Sequence, residues 1–286
     1  MVRGIEDRLF HGIVIAILVL CGAAAVFPLL YVLSVSLTPF SEVLKNGGFI
    51  LIPRSITFDA YHKLLTESNL PRAFWVTIYI TVVGTALNLA VTVLMAYPLS
   101  RKVLPGRSLF LFLVVFTLLF GGGIIPTYLV VKSVGLLNST WALILPNLVW
   151  SFNVLIMKSF FESLPEELFE SARMDGAREF RILWQMVLPL SLPVTMTIGL
   201  FYAVGHWNEF FQAIMYVTDR SLFPLQVIVR ELLVQTQAPL ENVENMTPTE
   251  TLQMASVVMA SLPIIIVYPF LQKHFTKGML LGSIKG

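Results

Sequence analysis

Six stretches of this chain carry no charged side chain and are each long enough to cross a bilayer: 12–41, 73–100, 108–131, 133–157, 182–208 and 251–272. A spanning helix needs about 20 predominantly apolar residues, so these runs predict an all-α membrane protein of six transmembrane helices. Composition agrees, with 56% hydrophobic and 13% charged residues among 286 and a mean hydropathy of +0.80. A soluble core this apolar would aggregate. The net charge of +2 is spread among loops rather than gathered into a stripe, which gives no nucleic-acid surface. The single cysteine, Cys21, excludes an internal disulfide framework.

The spans are expected at about 12–38, 73–98, 108–131, 139–160, 190–211 and 252–272, in a single transmembrane domain covering 1–286. The first reads as a retained helix rather than a signal peptide. Its apolar run exceeds the ~7–15 residues of a signal h-region, and the residue before Cys21 is Leu20, not a small one. Pro28 is a candidate bend. In the third span, Gly121-Gly122-Gly123 before Pro126 predicts a break near the outer leaflet, since each glycine weakens a helix by ~1 kcal/mol relative to alanine. The fifth span starts late because its first turns belong to a charged segment, and Glu209 is tolerated near an interface.

Loop bases set the orientation. Arg3, Arg8, Arg101, Lys102, Arg107, Lys158, Arg173, Arg178, Arg181, Lys273, Lys277 and Lys285 share one side, against Lys45, Arg54, Lys63, Arg72, Lys132, Arg220 and Arg230 on the other. The richer side is cytoplasmic by the positive-inside rule, so both termini are expected there. On the outer side, a short helix is predicted around Phe58 to Glu67, and Pro224 to Val234 suits either a helix lying on the outer surface or, equally, a solvated connector. Ala238 to Glu250 is turn-rich and acidic.

Residues 161–189 form a charged island that must lie in water. Glu162, Glu166, Glu167, Glu170, Asp175, Glu179, Arg173, Arg178 and Arg181 would each cost roughly 2.5–3.5 kcal/mol at the bilayer centre. Ser163 and Glu166 have the spacing of a capping box, with Pro165 in the first turn. Leu164, Leu168 and Ala172 then share a face, and Gly176 is placed to end the helix after Asp175. Phe180, Leu183, Trp184 and Val187 recur at helical spacing up to Pro189. The pattern predicts a helix, glycine turn, helix hairpin. Periodicity by itself favours a loop that merely covers its own membrane helices.

Glu170, Ser171, Ala172, Gly176, Met186, Leu188 and Pro189 keep the spacing of the EAA loop of ABC importer permeases, with Ser171 in place of the first alanine and Met186 in place of an aliphatic. The triplet Asp175-Gly176-Ala177 resembles the carbohydrate-importer branch. The chain as a whole is similar to the second permease subunit of maltose-type importers and to relatives that handle oligosaccharides released from complex polysaccharides. That resemblance implies the type I ABC importer fold and half of a translocation pore. It also implies three kinds of partner: a second homologous permease, an ATPase dimer and an extracytoplasmic sugar-binding protein. ATP and Mg would sit on the ATPase, with no cofactor on this chain. It further implies coupling through Glu170, Ala172, Asp175, Gly176, Ala177, Phe180, Leu183 and Pro189, in a bacterial or archaeal cell membrane.

Polar groups within the spans are Asn88, Asn147, Asn153, His206, Asn208 and Glu209. Intramembrane polar side chains mark pathways, but asparagine is also common interhelical glue, the role favoured for Asn88 and Asn147. Asn153 and the cluster Trp207-Asn208-Glu209 are candidates for the translocation path, because aromatic rings stack on sugar faces and amide or carboxylate oxygens accept hydroxyl protons; a gate or a helix-packing contact would have the same composition. Lys273, His274 and Lys277 suit anionic lipid headgroups. Beyond them Gly278, Gly282, Lys285 and Gly286 punctuate an apolar run. An extended tail threading the ATPase interface would use such a composition, as the resemblance to the maltose-importer tail implies. No phosphate loop, zincin or nucleophile-elbow motif occurs, so the chain is expected to be no enzyme. A six-helix secondary transporter or channel, a membrane enzyme, and an ABC permease for a non-sugar solute are the alternatives.

Overall fold

The structure, a computed structural model, describes residues 5–235 and 250–283. In chain order the α-helices are α1 (Ile5–Ser36), α2 (Phe40–Lys45), α3 (Asp59–Thr66), α4 (Leu70–Ser100), α5 (Arg107–Leu119), α6 (Ile124–Ser133) and α7 (Ser151–Glu162). There follow α8 (Glu166–Met174), α9 (Glu179–Ile182), α10 (Leu188–Leu190), α11 (Leu192–Trp207), α12 (Phe211–Tyr216), α13 (Leu225–Gln235) and α14 (Glu250–Ser283). No strand occurs among the described residues. Chain contacts define two units, Met1–Pro71 with Ile228–Leu262, and Arg72–Val227 with Pro263–Gly286.

In the first unit, α1 is one continuous helix that contains Pro28. Its 32 residues reach about 48 Å at 1.5 Å per residue, ample for a ~30 Å hydrocarbon core. Nearly every side chain from Leu9 to Leu30 is exposed. Its last turn joins a small core of Val35, Val43 and Ile50, where the Tyr31 hydroxyl donates to the Gly48 carbonyl at 2.8 Å. The expected short helix after Phe58 is present as α3, and Tyr61 shares a hydrogen bond with Ser36 at 2.7 Å.

The second unit is built around α4. Its principal core joins Val93, Ala96 and Tyr97 of α4 to Val154, Met157 and Phe161 of α7, Phe169 of α8, and Ile198 and Tyr202 of α11. Three of the expected spans are not single straight helices. The pair α5 and α6 is bent by 115°, the short 3-10 segment Thr140–Asn147 and α7 by 50°, and Glu179–Leu190 and α11 by 83°. Among the described residues, three helices are long and apolar enough to cross a membrane, or up to six spans if each bent pair counts as one. Each bend has a local cause. Phe120 is extended and Gly123 takes φ +83°, where the glycine run predicted the break. Pro146 lies in the 3-10 segment before α7. Pro189 and Pro193 flank Ser191 between α10 and α11, and neither can donate a backbone N–H.

Three expectations change. The fifth apolar stretch ends as a helix at Trp207, and α12 restarts at Phe211. Leu225, Val227, Ile228 and Val229 of α13 are buried, so this helix is not a surface element there, and the Leu225 N–H donates to Thr77 Oγ1 at 2.7 Å. The C-terminal tail is not extended through residue 283: α14 continues to Ser283 with Gly278 and Gly282 inside it. Met279, Leu280 and Leu281 are good helix formers, and two glycines cost only ~1 kcal/mol each. Lys285 and Gly286, and the turn-rich stretch at 238–249, lie outside the described residues.

Candidate functional site

The charged island folds as a hairpin whose first arm is α8. The expected capping box does not form. Ser163 instead ends α7, with its N–H bonded to the Ser159 and Phe160 carbonyls and its hydroxyl donating to Phe160 O at 2.7 Å. Pro165, at φ −58° and ψ 133°, is the N-cap of α8. Glu166 and Glu167 fill the first turn, where the helix dipole favours negative charge. Leu164 therefore lies outside the helix. The buried side chain is Phe169, at 0% exposure, rather than Leu168.

The turn is a Schellman motif. Ala177 N–H reaches the Ala172 carbonyl at 3.0 Å and Gly176 N–H the Arg173 carbonyl at 2.9 Å, with Asp175 as C-cap and Gly176 at φ +77°. Only glycine, or at some cost asparagine, adopts that φ readily. The second arm starts with α9 and passes through a π-helical turn, Leu183–Val187, in which Leu188 N–H bonds back to Leu183 O. The π turn lies immediately before Pro189, which lacks an N–H to continue an α-helical ladder.

That register splits the expected apolar stripe. Phe180 and Trp184 are exposed with ring centroids 6.3 Å apart, whereas Leu183 and Val187 belong to the core. Leu183, expected as a docking anchor, is corrected to a core residue. Glu170, Asp175, Gly176 and Pro189 are exposed. Half-buried Ala172 and Ala177 line, with Asp175, Arg181, Gln185 and Met186, a groove of about 220 Å³. The hairpin thus presents an aromatic pair, a shallow groove and a charged edge.

An ion pair and a hydrogen bond hold the hairpin to the C-terminal end of α4. Arg101 Nη2 donates to Glu166 Oε1 at 2.5 Å, and its guanidinium lies 3.7 Å from the centre of the Phe169 ring. The Tyr97 hydroxyl donates to Glu179 Oε2 at 2.5 Å, and Arg173 donates twice to Glu179 Oε1 at 3.0 and 3.1 Å. Burial on its own would raise the Glu179 pKa. The hydrogen bonds from Tyr97 and Arg173, with the charges of Arg173 and Arg101, hold it below the usual carboxylate value. Arg107 pairs with Glu162, which also accepts from Lys158.

A second polar feature lies within the membrane helices. Asn88 donates to the Asn147 and Leu148 carbonyls at 2.7 and 3.0 Å, and its Oδ1 meets His206 Nε2 at 2.8 Å. The carbonyls belong to the broken fourth stretch, where unwound backbone must find partners because lipid offers none. Asn88 is therefore interhelical glue, as expected, while Asn147 contributes a backbone carbonyl to it. Gly84 allows the approach of His206, and Gly205 that of Trp150: a Cβ at either would meet ring atoms at 2.5 Å.

Among the candidate path residues, Asn153 is buried on α7, and its Nδ2 has no partner among the described residues. Trp207 is buried edge-on against Phe74, centroids 5.9 Å apart. Asn208 is exposed and caps α11 by donating to Val204 O at 2.9 Å. Half-buried Glu209 accepts from the Gln212 N–H at 3.1 Å. Of these four, Asn208 is the exposed side chain. Asn208→Ala removes one capping bond, typically ~1 kcal/mol, and should change transport without lowering the amount of assembled complex. A fall in assembly, read by quantitative immunoblot of the purified complex, would reduce Asn208 to a helix cap. No cluster of metal-ligating side chains occurs among the described residues.

The described residues thus form an all-helical domain with bent apolar spans and an exposed helix–glycine–helix hairpin. Residues 7–281 match the family described as Binding-protein-dependent transport system inner membrane component. Protein LplC of Bacillus subtilis is 47% identical over 269 residues, covering 93% of this chain and 91% of that protein. The Bacillus subtilis polygalacturonan/rhamnogalacturonan transport system permease protein YtcP is 43% identical over 286 residues, covering 98% and 100%. A chain from the crystal structure of a bacterial ABC transporter involved in the import of the acidic polysaccharide alginate superposes with a TM-score of 0.89 at 32% identity, covering 95% of this chain and 98% of that one. The chain belongs to this family: it is an ABC importer permease, a non-catalytic membrane subunit of the type I fold.

Tyr97, Phe169, Trp150 and the Asn88–His206 pair were not marked as a group by the sequence. The partners in that pair are 118 residues apart, and no local spacing connects them.

Proposed function

We propose that this chain is one half of the pore of an importer that moves oligosaccharides into the cytoplasm. A second homologous permease completes the pore, an extracytoplasmic binding protein delivers the sugar, and an ATPase dimer, carrying ATP and Mg, docks on the hairpin. The observation that carries the reading is the hairpin itself, a glycine-turned two-helix element that exposes Phe180 and Trp184 while its other face is locked to the core. An amphipathic element set in a partner's groove is a standard mode of protein recognition. Similarity to permeases named for polygalacturonan/rhamnogalacturonan transport and for alginate import supports a polysaccharide-derived substrate. Both termini and the hairpin face the cytoplasm in this reading, which follows from the distribution of loop bases.

Residues 278–286, with Gly278, Gly282, Lys285 and Gly286, form a second contact with the ATPase and help couple nucleotide state to pore state. The test is purification of the tagged chain in mild detergent, followed by reconstitution. A second permease and an ATPase should copurify, and sugar-loaded binding protein should stimulate ATP hydrolysis. Removal of 278–286 should lower that stimulated hydrolysis while membrane insertion persists. A chain that purifies alone, or catalyses uptake without ATP, would favour a secondary transporter or channel.

A further inference from the structure

The hairpin is covalently continuous only with α7 on one side and α10–α11 on the other, yet its polar contacts converge on a third helix. Tyr97 lies in the last turn of α4, and Arg101 is the first residue beyond that helix. Each takes a different arm. Tyr97 holds Glu179, at the start of α9, at 2.5 Å. Arg101 holds Glu166, at the start of α8, at 2.5 Å, and covers the ring of Phe169 one turn further on. Arg173 closes the set by bonding Glu179 at 3.0 Å and approaching Glu166 at 4.0 Å. Both arms are thus attached at the C-terminal end of α4, one through its last turn and one through the residue that follows it.

Two further observations indicate that these bonds act as struts. A cleft of about 640 Å³ opens between the end of α4 and α9, lined by Leu94, Pro98, Val103 and Leu104 on one side and by Phe180 and Leu183 on the other. Beside this cleft the Tyr97–Glu179 bond bridges the two helices where side-chain packing is incomplete. Two and a half turns earlier on α4, Asn88 binds the broken fourth stretch and His206 of α11. One helix therefore touches the hairpin at its end and the intramembrane junction in its middle.

We propose that Tyr97 and Arg101 are positioning residues for energy coupling, fastening the hairpin to α4 so that its displacement moves α4 together with α7 and α11. Without them the hairpin would swing on its two covalent connections, and motion imposed by the ATPase would be lost before it reached the pore. The inference rests on the function proposed above. A demonstrated pathway needs a measured coupling between its members, and a charge exchange supplies one.

The experiment uses the complete importer reconstituted in proteoliposomes. It reads sugar taken up per ATP hydrolysed, a ratio that does not depend on how much complex assembles. Arg101→Glu and Glu166→Arg should each lower the ratio about tenfold, and the double exchange should recover at least half of the loss, as for residues in one network. Tyr97→Phe keeps the ring and removes only the hydroxyl; it should lower the ratio about threefold and leave nothing further to lose when combined with Glu179→Ala. Singles that keep the parental ratio, or a double exchange no better than its singles, would overturn the proposal. If Arg101→Glu prevents assembly, the Tyr97→Phe ratio decides alone. Failure of the underlying reading looks different, since the parental protein itself would then show no ATP-driven uptake.

Discussion

Gly176→Val abolishes sugar uptake while the permease still inserts and accumulates normally: this is the largest effect expected of any single change in the hairpin. A Cβ at Gly176 would meet nothing within 4 Å, so steric crowding is not the cause. The cause is φ +77°, which a β-branched residue reaches only at a cost of roughly 1–2 kcal/mol or more. The chain avoids that cost by opening the turn. The Ala177–Ala172 and Gly176–Arg173 bonds then break, and α9 leaves the position from which Phe180 and Trp184 are presented. Gly176→Asn separates this account from simple misfolding, because asparagine tolerates the left-handed region. Uptake by Gly176→Asn should exceed that of Gly176→Val severalfold at equal protein level. Equal uptake by the valine variant and the parent, normalised to membrane content, would remove the turn geometry from the coupling mechanism.

The second large effect is expected inside the membrane. Gly84→Leu places a Cβ at 2.5, 2.7 and 2.8 Å from His206 Nε2, Cε1 and Cδ2. The ring cannot remain there. Overpacking of this kind costs about 1–3 kcal/mol, and displacing His206 takes from Asn88 one of its bonds in a buried site, about 1–3 kcal/mol more. Asn88 also supplies the donors for the Asn147 and Leu148 carbonyls, so the loss spreads to the bend of the fourth stretch. The complex should assemble poorly, with its thermal midpoint in detergent lowered by several degrees. Adding His206→Ala to the same chain gives back the space and should restore part of the assembled protein. A Gly84→Leu chain with parental yield and midpoint would show that α4 and α11 are not tightly joined at this point. The contrast with Gly176→Val is the useful one: one glycine is required for backbone conformation at an exposed turn, the other for closeness between helices. The first variant should fail in transport, the second in assembly.

Much of the protein was legible from local pattern. Long charge-free runs can be satisfied in hydrocarbon only by continuous backbone hydrogen bonding, so the all-helical membrane fold followed from the chain directly. The glycine run before Pro126 marked the break between α5 and α6, and the spacing from Glu170 through Gly176 to Pro189 marked the hairpin and its turn. These features depend on interactions between residues a few positions apart. Where neighbouring signals competed, the pattern was insufficient. Ser163 had the spacing to start α8 but ends α7, because Pro165 interrupts the chain between them. The stripe Phe180–Leu183–Trp184–Val187 assumed an unbroken α-helix, and the π turn before Pro189 divided it between surface and core.

What only the tertiary structure decided is which distant residues meet. Asn88 reaches His206, Tyr97 reaches Glu179, Arg101 covers Phe169, and Trp150 fits against Gly205. None of these pairs has a period, because apolar surroundings drive no particular helix contact in a membrane, where lipid is as apolar as leucine. Close packing at glycines and a few satisfied polar groups select the arrangement instead. Their partners are fixed by how the helices bend and cross, and that geometry exists only once the whole second unit has assembled.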